Sequence, residues 1–149
     1  MTQNTTFDIL HKMNRLLSID YGTKKIGIAI TDPLKLIVSP YTTIDNKSII
    51  SSIKCILEIC KTLSVERIVL GLPLNYEGFE TEKSEEVRNF HQRLVLETTI
   101  PIDLWDERNT TVEANEFLKL KKMNWKDSKK VIDQIAAAII LQCYIDSRG

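Results

Sequence analysis

The chain has 149 residues, 43% hydrophobic and 27% charged, and its 20 Lys and Arg balance 20 Asp and Glu for a net charge of zero. A chain of this length closes one core and buries roughly 68–70% of its unfolded surface. The composition excludes disorder, collagen and coiled coil. The charge balance excludes a uniformly basic protein that coats nucleic acid over its whole surface, but leaves room for a local basic patch.

Residues 1–14 are polar and show no strong period, so they are expected to form a flexible N-terminal extension ahead of a single domain over 15–149. Arg15 to Tyr21 reads as an apolar strand, Gly22 to Lys25 as a turn and Ile26 to Thr31 as a second strand, together an antiparallel hairpin. A third β-rich stretch, Leu36 to Ile44, is broken by Pro40, as suits an edge or a bulge. From about Lys47 to Thr62, Ile49, Ile53, Ile56, Leu57 and Cys60 recur at helical spacing and give one apolar face. Arg67 to Leu72 is apolar without alternation, as in a strand covered on both sides.

A helix is predicted from about Glu80 to Glu97, a strand from Ile100 to Trp105, and a helix from Thr110 to Lys121 that opens on a capping signal with Glu113. The last helix, Ser128 to Ile145, is the most apolar segment. This order, an opening hairpin followed by alternating helices and strands, predicts an α/β fold. Its mixed sheet has about five strands: an antiparallel hairpin, an edge strand and then parallel strands, with helices on both faces.

Cys55, Cys60 and Cys143 have no CxxC spacing and cannot all pair, which suits a reducing cytoplasm. Cys55 and Cys143 lie in apolar helical stretches and are expected as small buried hydrophobes. No run approaches the ~18–20 apolar residues of a membrane span, and the N-terminus lacks a signal layout. The expected location is the cytoplasm, without membrane attachment.

In such sheets, functional groups gather where the strands end. The first strand ends in Asp20, the fourth in Gly71-Leu-Pro-Leu-Asn75, and the fifth in Asp106-Glu107-Arg108. Asp20 is either a turn-forming residue ahead of Gly22 or a functional acid. Asp106 to Arg108 is either a solvated charge run or part of a site. Asp133 shares its helix face with Ala136, Ala137 and Ile140. It is therefore either an inward carboxylate in need of a cation or a partly exposed acid near a helix start. Three apolar elements that each deliver an acid suggest carboxylate ligands for Mg2+ or Mn2+. Two such ions can drive phosphodiester hydrolysis.

Asp20-Tyr-Gly-Thr-Lys-Lys-Ile-Gly-Ile-Ala29 resembles the opening motif of the YqgF (RuvX) family of ribonuclease H-like proteins. Gly71 to Asn75, Asp106 to Arg108 with Thr110 to Ala114, and Val131 to Asp133 through Ala136-Ala137 to Gln142 are similar to its later motifs, in order. The resemblance spans Arg15 to Ile145. It implies an RNase H-like fold and a nuclease that trims precursor 16S ribosomal RNA, with branched DNA as the alternative substrate because the family is related to Holliday-junction resolvases. It also implies Asp20, Glu107 and Asp133 as catalytic acids, with Asp20, Asp133 and Glu107 or Asp106 holding the metal. Asn109 departs from the apolar or aromatic residue usual there, and Met13 stands where the family tends to begin, a candidate initiator.

Lys24, Lys25, Asn75, Arg108, Lys129 and Lys130 are candidate substrate contacts, each with an ordinary role as a turn, loop or surface residue beside it. Between positions 119 and 130, six lysines face only Asp127, and Lys129 and Lys130 stand near a helix start, where the dipole disfavours cations. Trp125 in that segment either stacks on a base or anchors the loop. Residues 77–86 hold five Glu against Lys83, so the neutral total is a cancellation between unlike regions. Apolar content near the third strand permits a homodimer without requiring one. Asp20-x-Gly-Thr also resembles the phosphate loop of actin-like ATPases, but this chain lacks a second copy of the motif and the length for two lobes. A non-catalytic nucleic-acid or ribosome-assembly binder is the remaining alternative. Acids at all three positions argue against it, since they would repel phosphates.

Overall fold

A computed structural model describes residues 14–109 and 129–148. Five strands, β1 (Arg15–Asp20), β2 (Lys25–Thr31), β3 (Val38–Asp45), β4 (Val65–Leu72) and β5 (Ile102–Asp106), form one sheet in the order β3-β2-β1-β4-β5. β1 to β3 pair antiparallel, whereas β1–β4 and β4–β5 pair parallel. Three helices complete the described chain: α1 (Ile49–Leu63), α2 (Glu82–Glu97) and α3 (Lys129–Arg148). The mixed sheet, opening hairpin and helix order match the reading from sequence, with boundaries moved by one to three residues. The helix predicted over Thr110 to Lys121 and the extension ahead of Asn14 lie outside the described residues.

The period of two along each strand decides which helix it meets. Leu17, Ile19, Ile26, Ile28, Ile68 and Leu70 face α1 and α2, where Ile53, Ile56, Cys60, Val87, Phe90 and Leu94 complete one core. The intervening positions, among them Leu16, Ala29 and Val69, face α3 and pack on Ala137, Ala138, Leu141 and Tyr144. β4 is thus buried on both sides, as its unbroken apolar run requires. Pro40 sits in edge strand β3, where the register with β2 shifts at Ile28/Ala29.

The α3 side of the hairpin carries small residues for a reason. Gly27 and Ala29 of β2 let the helix lie close, and the Ser18 hydroxyl of β1 donates to the Ala137 carbonyl at 2.6 Å. That bond satisfies both buried polar groups.

One expectation fails. Cys60 and Cys143 are buried, but Cys55 is exposed. The buried stripe of α1 runs through Ile53, Ile56 and Cys60, and residue 55 falls about 130° away from the mean direction of 53 and 56 on a 100°-per-residue wheel. No described helix is long and apolar enough to cross a membrane.

Candidate active site

Because β1, β4 and β5 are parallel, their last residues share one end of the sheet. Asp20 closes β1, Asp106 closes β5, and Glu107 opens the 3-10 turn Glu107–Asn109. The turn after Asp20 is tied down by Asn46, whose side-chain amide donates to the Gly22 carbonyl at 2.9 Å and whose backbone N–H donates to Lys24 at 2.9 Å.

Two glycines bring the acids together. Gly27 pairs with Asp20 across the hairpin, and a β-carbon on Gly27 would stand 1.9 Å from the Asp133 carbonyl oxygen. Only a glycine there lets α3 set Asp133 beside Asp20. On the other flank, a β-carbon on Gly71 would stand 2.4 Å from Oε1 of Glu107. Gly71 follows Leu70, which pairs with Ile19, so the Glu107 carboxylate rests over β4 next to the end of β1.

Electrostatics report the same convergence. Burial first, and then the charge of Asp133, pushes Asp20 up to about 6. Burial and the charge of Asp20, with a smaller share from Asp106, push Glu107 up to about 7. Lys83, in the first turn of α2, opposes both shifts. Asp20 and Glu107 are thus poorly hydrated, and each lies within the field of another carboxylate.

Asp106 behaves differently. Arg108 folds back onto it, donating from Nη2 to Oδ2 at 2.7 Å, from Nε at 3.1 Å and from its backbone N–H at 2.9 Å. The Arg108 hydrogen bond holds Asp106 below the usual carboxylate range. Of the two neighbours, Glu107 faces Asp20, and Asp106 is engaged by Arg108. Among the described residues no three acidic, histidine or cysteine side chains form a ready-made ion cage; the acids are close through their fields without being closed into a shell.

The other sequence candidates are scattered around this centre. Asn75 organises the β4–α2 loop, its Oδ1 accepting from the backbone of Glu77 at 3.1 Å and Phe79 at 2.9 Å. Arg108 lies across the same loop, donating to the Tyr76 carbonyl at 3.4 Å. Lys24 is exposed in the hairpin turn. Lys25 forms an ion pair with Asp45 at 2.8 Å. Lys129 and Lys130 open α3, but their side chains, the rest of the lysine segment and Trp125 lie outside the described residues.

Sequence reasoning missed Gly27 as a contact point and Lys83 as the cation whose charge reaches Asp20 and Glu107. The five neighbouring glutamates masked Lys83. Its spacing from Val87 and Phe90 was the available signal.

Comparison with known proteins follows the same line. The family described as "RuvX: Holliday junction resolvase" matches residues 14–147. A candidate pre-16S rRNA nuclease of Caldanaerobacter subterraneus is 44% identical over 135 residues, 90% of this chain and 97% of the relative. Another from Protochlamydia amoebophila is 40% identical, over 92% of this chain and 96% of the relative. In fold, the chain is similar to Thermus thermophilus RuvC in complex with a Holliday junction substrate. The TM-score is 0.62 at 12% identity, covering 91% of this chain and 96% of that one. It is also similar to the yeast mitochondrial Holliday junction resolvase, with TM-score 0.60 at 11% identity, covering 97% and 85%.

Proposed function

The chain belongs to the RuvX family, and from that premise we propose that it is a cytoplasmic, metal-dependent nuclease that hydrolyses phosphodiester bonds in precursor 16S ribosomal RNA. Asp20, Glu107 and Asp133 are its catalytic acids and metal ligands, acting within a single RNase H-like domain over 15–149. One observation carries the reading: acids from β1, the β5 turn and α3 converge closely enough for their charges to raise Asp20 and Glu107.

That donor set fits a hard divalent cation such as Mg2+ or Mn2+. Carboxylate oxygens are the preferred ligand type, and a cation relieves the repulsion and lost hydration that the acids otherwise bear. When bound, the ion supplies charge neutralisation at the scissile phosphate and acidifies a water. The chain's own residues do the rest. Asp20 and Asp133 are fixed by the hairpin and by α3 through Gly27. Glu107 is seated over Gly71, and Asp20 and Glu107, both raised by burial, would give up their protons to hold such an ion. Arg108, held on Asp106, steadies the β5 turn and the β4–α2 loop and is positioned to meet a phosphate. Lys24, Lys25, Lys129 and Lys130 flank the strand ends as further backbone contacts, and Asn75 shapes the loop that borders them. All three acids come from one chain, so a homodimer is compatible with this chemistry and not needed for it.

Branched DNA is the second reading, favoured by the description of the matched family. The test is to incubate purified protein with an rRNA precursor, single-stranded RNA and a four-way DNA junction, with and without Mn2+. Mn2+-dependent cleavage of the precursor is expected. Cleavage of the junction alone supports the second reading, and binding without any cleavage contradicts both.

A further inference from the structure

Lys83 is the second residue of α2 (Glu82–Glu97), and three features of its surroundings point toward the acids. The first is its place on the helix. Val87, Phe90 and Leu94, at 2%, 0% and 0% exposure, form the stripe that α2 packs on the sheet. Lys83 precedes Val87 by four and Phe90 by seven, so it continues that stripe where the helix runs out beyond the strand ends. Phe90 in turn stacks on Tyr21, ring centroids 4.4 Å apart, and Tyr21 follows Asp20.

The second feature is how the head of α2 is fixed. Thr81 and Ser84 form a reciprocal capping box, and the Ser84 hydroxyl also donates to the Pro73 carbonyl. Pro73 lies two residues beyond Gly71, the position under the Glu107 carboxylate. The turn that carries Lys83 is therefore pinned to the segment on which Glu107 rests.

The third is its charge environment. The positive charge of Lys83 is felt by both Asp20 and Glu107, although they belong to different strands. Five glutamates surround it in sequence, yet among the described residues it is in no ion pair, and Glu80 pairs with Arg88 instead. A lysine in the first turn of a helix also opposes the helix dipole. An exposed cation kept at such a position, within the field of a cluster of acids, suits a polyanion that must be held against those acids.

We propose that Lys83 is a substrate-binding residue whose ammonium group contacts a backbone phosphate of nucleic acid laid across Asp20, Glu107 and Asp133. It enters from the α2 side of the sheet, opposite the side from which α3 delivers Asp133. The inference rests on the nuclease reading above and adds to it the cation that orients the strand over the acids.

The test compares wild type, Lys83→Gln and Lys83→Arg. Binding of a fluorescently labelled single-stranded RNA is followed by anisotropy across a salt series without added metal, and cleavage of the same RNA is followed with Mn2+. For Lys83→Gln we expect KM and Kd to rise about tenfold and the slope of log K against log salt to fall by about 0.7, the value of one phosphate contact to a single strand. Its kcat and thermal midpoint should stay near wild type. Lys83→Arg should keep the wild-type slope. A merely structural lysine would lower the midpoint and leave the salt slope alone. If wild type cleaves and Lys83→Gln matches it in KM and salt slope, the inference is overturned and the nuclease reading stands. If wild type neither binds nor cleaves, the nuclease reading fails and this inference fails with it.

Discussion

Gly71 and Glu107 are in direct opposition across the β4–β5 boundary: a β-carbon on Gly71 would stand 2.4 Å from Glu107 Oε1 and 2.5 Å from Ile140 Cδ1. Both obstacles are the far ends of flexible side chains, so Gly71→Ala should fold with a modest loss of stability, about 1 kcal/mol. The carboxylate, however, must move by an ångström or so. Displacement on that scale costs on the order of 100-fold in rate. Cleavage assays beside thermal melts check this, and a variant with wild-type cleavage would show that the seat of Glu107 is irrelevant.

Gly27→Ala should behave in the opposite way, with stability lost first. Its β-carbon meets backbone, 1.9 Å from the Asp133 oxygen and 2.9 Å from the Gln134 nitrogen. Backbone in a helix cannot swing aside, so α3 must lift from β2. The cost should be about 3 kcal/mol or more, at the upper end for overpacked sites. Denaturant titration measures it.

The raised acids give stability a definite pH dependence. Asp20 moves from 3.8 to about 6 and Glu107 from 4.5 to about 7. Between those limits the folded protein holds protons that the unfolded chain has released. Their stabilising contribution is therefore full below about pH 4 and is lost as pH rises through 6 and 7. The metal-free protein should melt on the order of 5 °C lower at about pH 8 than at about pH 5 from these groups. Mn2+ competes with the same protons, so the rise in melting temperature on adding it should be larger at the higher pH. A Mn2+ effect independent of pH would contradict the assignment of Asp20 and Glu107 as ligands.

The opposite end of α3 provides a control. Tyr144, 4% exposed, donates its hydroxyl to Asp103 and receives a hydrogen bond from Arg148, while Arg67 holds the other Asp103 oxygen at 3.0 Å. The Trp105 ring meets it edge-on at 5.6 Å. Tyr144 lies eleven residues beyond Asp133, about 16 Å along the helix. Tyr144→Phe should cost about 1–2 kcal/mol and leave cleavage at the wild-type rate.

The strands and helices were legible because alternation and helical spacing are local properties, and β4 announced its two-sided burial by its unbroken apolar run. For Asp133 the spacing left two readings, an inward carboxylate beside Ala136 and Ala137 or a partly exposed acid, and the structure shows it half-buried with its charge acting on Asp20. Gly27 was not, since its meaning depends on a helix more than a hundred residues later in the chain arriving against it. Lys83 was obscured by the five glutamates around it, since the local charge sum is negative and hides a single cation. The choice between Asp106 and Glu107 needed the Arg108 side chain, whose fold back onto Asp106 no spacing rule reveals. Cys55 was misjudged because an apolar neighbourhood was taken for an apolar face.

The most direct test of the account is Mn2+-dependent cleavage of an rRNA precursor by wild type, Asp20→Asn and Asp133→Asn, measured side by side with their thermal melts. Both variants should fold, with midpoints at or above the metal-free wild type because each removes one of the mutually repelling charges, and should lose cleavage by about 1,000-fold or more. Cleavage at the wild-type rate by either folded variant would contradict it.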